Sequence, residues 1–249
     1  MADIDSSLLY YCYQIKKQHT VALSGECSDE VFGGYPWFYR PEMLNKGFFP
    51  WIHDPHARIN LFQPELLRPQ EGFEYTSEIY HQSVKACPML PDESPTMRNS
   101  RLASWLSINY FMTSLLERKD RMSMAAGLEV RVPFSDHRMV EYVYNVPWEI
   151  KFAGGVEKAL LRAAMQGYLP KKILYRKKSP FPKTHNPQYE KQVFNLLQAR
   201  LESGKSRLTE LLKKDVLTQL QAPENKTWFG QLMGVPQLMA WLLQMDYWL

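Results

Sequence analysis

Apolar residues recur at Leu8, Tyr11, Cys12 and Ile15, the i, i+3, i+4, i+7 spacing of one helix face. This predicts a helix over 5–19 with Asp5 or Ser6 as N-cap. Thr20-Val21-Ala22-Leu23 follows as a short apolar run with β-branched residues, bounded by Ser24-Gly25, and reads as a buried strand. It is the only convincing strand signal in the chain. From there the pattern is helical with proline-rich interruptions, most of them between Pro36 and Pro95. A long buried helix is predicted over 98–119 from Leu102, Trp105, Leu106, Phe111, Met112, Leu115 and Leu116. Asp136 is placed to cap a helix carrying Met139, Val140 and Val143 that stops before Pro147. A similar design over 156–168 is stopped by Gly167 and Pro170. Asn186-Pro187 forms an N-cap and first-turn pair for a helix with Val193, Leu196, Leu197 and Leu201 that ends near Ser203-Gly204. The stretch 228–249 is again helical in pattern.

A lone buried strand leaves its backbone donors and acceptors unpaired, so the pattern implies a sheet with further strands. Residues 5–35 read as helix, strand, small-residue turn and helix, one step of a doubly wound α/β sheet. The expectation is that the chain is the later part of a larger domain whose other strands lie upstream of Met1. No internal repeat or long linker divides it, so one unit is expected.

The chain's 249 residues are 45% hydrophobic and 22% charged, which excludes intrinsic disorder. No run of about 18 apolar residues occurs, so no membrane span is expected. Lys+Arg 30 against Asp+Glu 26 gives +4, far short of the basic density of a nucleic-acid binder. Cys12, Cys27 and Cys87 lack C-x-x-C spacing, which argues against a disulfide framework or a four-cysteine zinc site. With no signal-peptide pattern after Met1, a cytoplasmic protein is expected.

Three segments carry chemistry. The first, 23–35, follows the carboxyl end of the strand, where open α/β sheets bind ligands. Ser24 supplies a hydroxyl, Gly25 allows close backbone approach, and Glu26, Asp29 and Glu30 place three carboxylates within five residues. Asp29 and Glu30 also suit a helix start through its dipole alone, and Gly33-Gly34 suits an ordinary helix stop. The second, 171–181, has five basic residues among its first eight. Such a run reads as a solvated face, or as a loop sending one lysine inward to a phosphate or acyl-adenylate. In the third, 119–136, charges alternate with apolar residues without sustained regularity, which suggests a partly buried polar network or a ligand contact.

Ser24-Gly25-Glu26-x-Ser28-Asp29-Glu30, then Gly33-Gly34-Tyr35, Asp120-Arg121, 127–134 and Arg176-x-Lys178 before Phe181 together resemble the synthetase domain of glutamine-hydrolysing asparagine synthetases. The motifs occur in the same order, and the resemblance spans about residues 3 to 187. It implies a mainly α fold, the later portion of an adenine nucleotide alpha hydrolase-like (PP-loop ATP pyrophosphatase) α/β domain with one or few strands present. It implies ATP-dependent conversion of aspartate to asparagine through a β-aspartyl-adenylate. Pyrophosphate is lost first, and ammonia from a glutaminase domain then displaces AMP. By the same resemblance, Glu26 orients or deprotonates ammonia, Asp29 binds magnesium, Ser24 and Gly25 contact AMP, and Lys178 meets the developing charge.

The family's Ser-Gly-Gly-x-Asp-Ser loop is absent from the 249 residues, and Ala2 stands where the glutaminase cysteine would follow the initiator methionine. A partial synthetase domain over 1–249, inactive alone, is therefore expected. Cys27 stands for a common glycine, which puts a side chain and a thiol into the turn. Ser135 stands for the usual leucine before Asp136, and Ser179-Pro180 also departs from many relatives. Exposed apolar surface would favour self-association. Gly204-Lys205-Ser206 mimics the end of a Walker A loop without its first glycine, and His53 with His56 forms a weak metal pattern. Trp37, Phe38 and Tyr39 read as a base-stacking surface or as packing under Pro36. The alternatives are a β-lactam synthetase-like enzyme forming another amide through an acyl-adenylate, and a non-catalytic helical interaction module.

Overall fold

The first helix, α1, runs Ala2–Lys16 and buries Leu8 and Cys12 as the spacing requires, while Tyr11 faces solvent. Asp5 and Ser6 lie inside it rather than capping it. The computed structural model describes residues 2–178, 187–221, 227–229 and 233–249. After α1 come strand β1 (Val21–Leu23), the short helix α2 (Ser28–Phe32), and α3 (Pro69–Ala86). The predicted helix over 98–119 is α4 (Pro95–Leu106) and α5 (Thr113–Ala125), joined by a π-helical turn over Ser107–Met112. Then follow strand β2 (Glu129–Arg131), α6 (His137–Tyr144), α7 (Trp148–Lys151), α8 (Ala159–Ala164) and α9 (Lys171–Leu174). The last elements are α10 (Pro187–Glu202), α11 (Leu208–Leu211), α12 (Val216–Leu220) and α13 (Val235–Trp248).

The architecture is mainly helical with two strands, within the expected one or few, although the pattern predicts only the first of them. β1 pairs in parallel with β2, Val21 opposite Glu129 and Leu23 opposite Arg131. Glu129-Val130-Arg131 is too short for its alternation to register, yet only its central residue is sheltered, the mark of a half-covered strand. β1 is not buried either: Leu23 is 75% exposed. α8 is much shorter than the predicted 156–168 helix: Lys158 adopts a left-handed φ of 56 just before it, and the helix closes at Met165, ahead of Gly167 with φ 88. α13 begins at Val235 rather than at 228, since Phe229 and Met233 first form an antiparallel bridge. Asn186, the expected cap of α10, lies outside the described residues, as do Ser179, Pro180 and Phe181. Asp136 does cap α6, accepting a hydrogen bond from the Arg138 N–H at 2.9 Å.

The chain divides into two compact units instead of one. One draws on Met1–Ser7, Pro50–Ile79 and Pro180–Leu249; the other on Leu8–Phe49 and Tyr80–Ser179. Each is assembled from separated stretches, so no linker composition announces the division. In the first, α10 packs on α13 through Val193, Leu197, Leu238 and Leu242, with Leu208 and Val216 completing the core. In the second, Leu8 and Cys12 of α1 meet Ala126 and Leu128 beside the sheet, and Val31 and Phe32 of α2 pack with Met112 and Val143. These two clusters fix the turn between β1 and α2. No helix among the described residues is long and apolar enough to cross a membrane.

Candidate functional site

The acidic turn leaves the carboxyl end of β1, where the Ser24 N–H extends the ladder by donating to the Arg131 carbonyl at 2.9 Å. The Ser24 Oγ then accepts from the Glu26 N–H at 3.4 Å. Cys27 opens α2 with φ 69, the left-handed conformation that glycine adopts freely and other side chains adopt rarely. Its side chain is buried, and burial together with the Glu30 and Glu26 charges pushes the thiol up to about 12, so it is protonated and inert. α2 ends at Gly33, with φ 75 and an N–H donating to the Asp29 carbonyl. Gly34 packs so closely on the Asp29 side chain that a Cβ there would stand 1.8 Å from Oδ1.

The three carboxylates of the turn have three environments. Glu26 faces α5, with one oxygen 3.2 Å from Lys119 Nζ and 3.8 Å from Arg118. Its other oxygen is buried and accepts no hydrogen bond among the described residues. Asp29 lies between two amines, Lys158 Nζ at 2.8 Å from Oδ1 and Lys178 Nζ at 3.3 Å from Oδ2. Glu30 is 1% exposed and accepts a 2.6 Å hydrogen bond from the Tyr35 hydroxyl. Burial raises the Glu30 carboxyl to about 7 against the lowering effects of Tyr35 and Lys178. Burial and the neighbouring Glu30 likewise raise the Tyr35 hydroxyl. Glu30 is thus a core carboxyl held by Tyr35 rather than a mere helix-dipole charge.

Of the five basic residues in 171–178, Lys178 is the one that turns inward. Besides Asp29, its amine donates to the Gly34 carbonyl at 2.8 Å and sits 3.9 Å from the centre of the Tyr35 ring. Tyr35 is stacked on Trp37, whose indole N–H donates to Ser107 Oγ at 3.0 Å. The structure therefore brings Asp29 and Lys178 together and gives Glu26 a separate cationic neighbourhood.

Lys158 and Arg118 stand outside the three chemistry-bearing segments of the sequence, whereas Tyr35 and Lys119 stand within them with no role that the sequence assigns. Lys158 had one readable signal, a cation beside the glycine pair 154–155, but its left-handed φ of 56 and its reach to Asp29 are tertiary facts. The polar network expected over 119–136 is mostly surface pairs, Arg131 with Glu129 at 2.8 Å and Arg138 with Asp136 at 2.7 Å; Lys119 is what enters the site.

Among the described residues no group of three His, Cys, Asp or Glu could hold a metal. Asp29 alone fits a magnesium ion that arrives on phosphate oxygens, since magnesium takes one or two carboxylates and keeps its other ligands. The remaining motifs are structural. His56 stacks on Phe73, and Ser206 Oγ donates to Asp246 at 2.5 Å while accepting from the Leu208 N–H. Trp37 and Phe38 are buried, Phe38 stacked on Trp148.

Residues 1–249 match the protein family described as Asparagine synthase. The chain is 47% identical to "Asparagine synthetase [glutamine-hydrolyzing] 3" of Bacillus subtilis, a match that covers 100% of the chain and 41% of that protein. It is 30% identical to asparagine synthetase 1 of the same organism over 73% of the chain and 34% of that relative. A shorter stretch, 26% of the chain, is 46% identical to the glutamine-hydrolyzing asparagine synthetase of Gallus gallus and covers 12% of it. The chain thus spans less than half the length of these relatives. With the whole sequence matched, and the acidic turn and inward lysine brought together at the strand end, the chain belongs to the asparagine synthase family.

Proposed function

We propose that this chain forms one wall of an asparagine synthetase active site, in a PP-loop ATP pyrophosphatase-type domain, and acts on aspartate, ATP and ammonia. The observation that carries this reading is the meeting of Lys178 and Lys158 on Asp29, directly beyond the strand β1. Two amines around one carboxylate suit a triphosphate: they offset its charge and stabilise the departing pyrophosphate. An aspartate side-chain oxygen attacks the α-phosphorus, pyrophosphate leaves, and the acyl-adenylate forms. Ammonia then attacks the acyl carbon, AMP departs with the bonding pair, and Glu26 accepts the surplus proton. Glu26 suits this role because one of its oxygens is free of hydrogen bonds among the described residues. Ser24 and Gly25 border AMP. A Cβ at Gly25 would meet nothing within 4 Å, so packing gives no reason for glycine there, whereas a close ligand does. Asp29 would hold magnesium, which supplies charge neutralisation on the phosphates.

The ammonia comes from a glutaminase domain, and a Ser-Gly-Gly-x-Asp-Ser loop completes the phosphate site. Both belong to a longer enzyme, cytoplasmic and self-associating, of which this chain is the later synthetase portion. The 41% coverage of the Bacillus relative supports that division. Alone the chain makes no asparagine, and pyrophosphate released by it from aspartate, ammonia and ATP-magnesium would refute this part. In an enzyme carrying the loop, Glu26→Gln lowers asparagine formation about 10²–10⁴-fold while sparing aspartate-dependent ATP–pyrophosphate exchange. Lys178→Ala lowers the exchange itself about 10²–10³-fold. If neither variant changes either rate, the segment is a scaffold and the reading fails.

A further inference from the structure

Arg162 lies in α8, and among the described residues its guanidinium makes no hydrogen bond or ion pair to the acidic turn, yet it reaches both chain segments that deliver lysines to it. Its Nε donates to the Glu157 carbonyl at 2.9 Å, Nη1 donates to the Leu174 carbonyl, and Nη2 donates to the Arg176 carbonyl at 3.1 Å. Its backbone N–H donates to the Lys158 carbonyl at 3.0 Å. Glu157 immediately precedes Lys158, and Arg176 stands two residues before Lys178. One guanidinium therefore fastens the turn under Lys158 to the strand of chain leading to Lys178. The two amines then close on opposite oxygens of the same carboxylate.

The choice of residue is physically specific. Arginine offers five donors in a rigid planar fork, which serves three carbonyls at once; a lysine ammonium is a point charge on a flexible stem. Among the described residues the guanidinium meets carbonyl oxygens and no carboxylate, so its charge is not spent on an ion pair. Lys158 also sits at φ 56, a conformation uncommon for a side chain of its size, which persists only where surrounding bonds hold it. The Glu157 side chain adds a second restraint by accepting from the Tyr39 hydroxyl at 3.1 Å.

We infer that Arg162 is a positioning residue that fixes the separation of the Lys158 and Lys178 amines, so that they act as one two-point anchor for a polyphosphate. Its effect is transmitted through the backbone of both loops. The inference deepens the reading of these lysines as phosphate-facing cations, but its test is read on the chain itself, without catalysis. Failure of the one is therefore distinguishable from failure of the other.

The test is pulse acetylation of the folded chain with acetic anhydride, followed by peptide mass spectrometry of each lysine. In Arg162→Lys, which keeps the charge and loses the fork, Lys158 and Lys178 gain reactivity together by about five-fold, the ratio that corresponds to one net hydrogen bond. Lys119, paired with Glu26 on α5, stays unchanged and reports any general loosening. In Arg162→Ala, millimolar methylguanidinium restores protection to both lysines, which a merely structural defect would not allow. Should Arg162→Ala fail to fold, the Arg162→Lys result decides alone. Unchanged reactivity at both lysines, a rise at only one, or an equal rise at Lys119 would overturn the inference.

Discussion

The helical region built from α10 to α13 and the acidic turn around α2 bury their side chains by opposite means. In the first, Leu197, Leu208 and Leu242 are 0% exposed and hold the helices by apolar contact. Among the described residues there a single acid, Asp246, is buried, and it is met by Ser206 and Arg200. In the second, Glu30 is 1% exposed, and among the described residues the Asp29 carboxylate is met by amines that enter from far along the sequence. Apolar burial is tolerant of neighbours and adds up over area. Charge burial demands particular partners, and each lost partner leaves an expensive group behind. The first region therefore holds by area, while the second holds only as long as each charged partner is in place.

That contrast is broken most forcefully by Leu242→Ala. Removing the side chain leaves a cavity between α10 and α13 and costs about 2–5 kcal/mol, read by urea unfolding. The acetylation rate of Lys178 under native conditions should stay as it was; a matching rise would erase the distinction between the regions.

Lys151 of α7, outside the turn and 1% exposed, sharpens what charge burial costs. Among the described residues its amine donates only to the Tyr144 carbonyl, at 3.4 Å, and burial with the nearby Arg101 charge lowers it from 10.5 to about 8. Between these values the unfolded chain holds the proton and the folded chain does not, so stability rises with pH through that window. The rise is at most about 3 kcal/mol. Lys151→Met removes this part of the slope and is the more stable protein near pH 7. An unchanged slope in unfolding measured from pH 7.5 to 10.5 would show that the amine is solvated.

The smallest effect is expected at Gly34→Ala. The new Cβ takes the place of Asp29 Oδ1, so the carboxylate swings away from its amines at a cost of about 1–3 kcal/mol. Acetylation of Lys158 and Lys178 should then rise. If it does not, Asp29 is not what shelters them.

Much of the candidate site was legible in the chain. Ser24 to Gly34 is local: the strand end, the turn and the Gly33 stop lie within a dozen residues, and all formed where expected. Glu30 illustrates the other case. Its place at a helix start left a dipole charge and a site carboxylate both open, whereas packing of α2 against Met112 and Val143 puts it in the interior beside Tyr35. The short strand β2 was missed because three residues carry too little alternation to stand out, and its existence depends on β1 lying alongside it.

By itself the sequence determined the helical faces, the β1-to-α2 turn, the Asp136 cap and the family motifs, since each arises from residues a few positions apart. Tertiary structure alone decided which of five basic residues turns inward, that Lys158 joins it, and that one arginine ties their two loops. The physical reason is range. Periodicity and turn chemistry act over one or two helical turns, but a hydrogen bond such as Lys178 to Gly34, whose partners are 144 positions apart, exists only where the whole path of the chain brings them together.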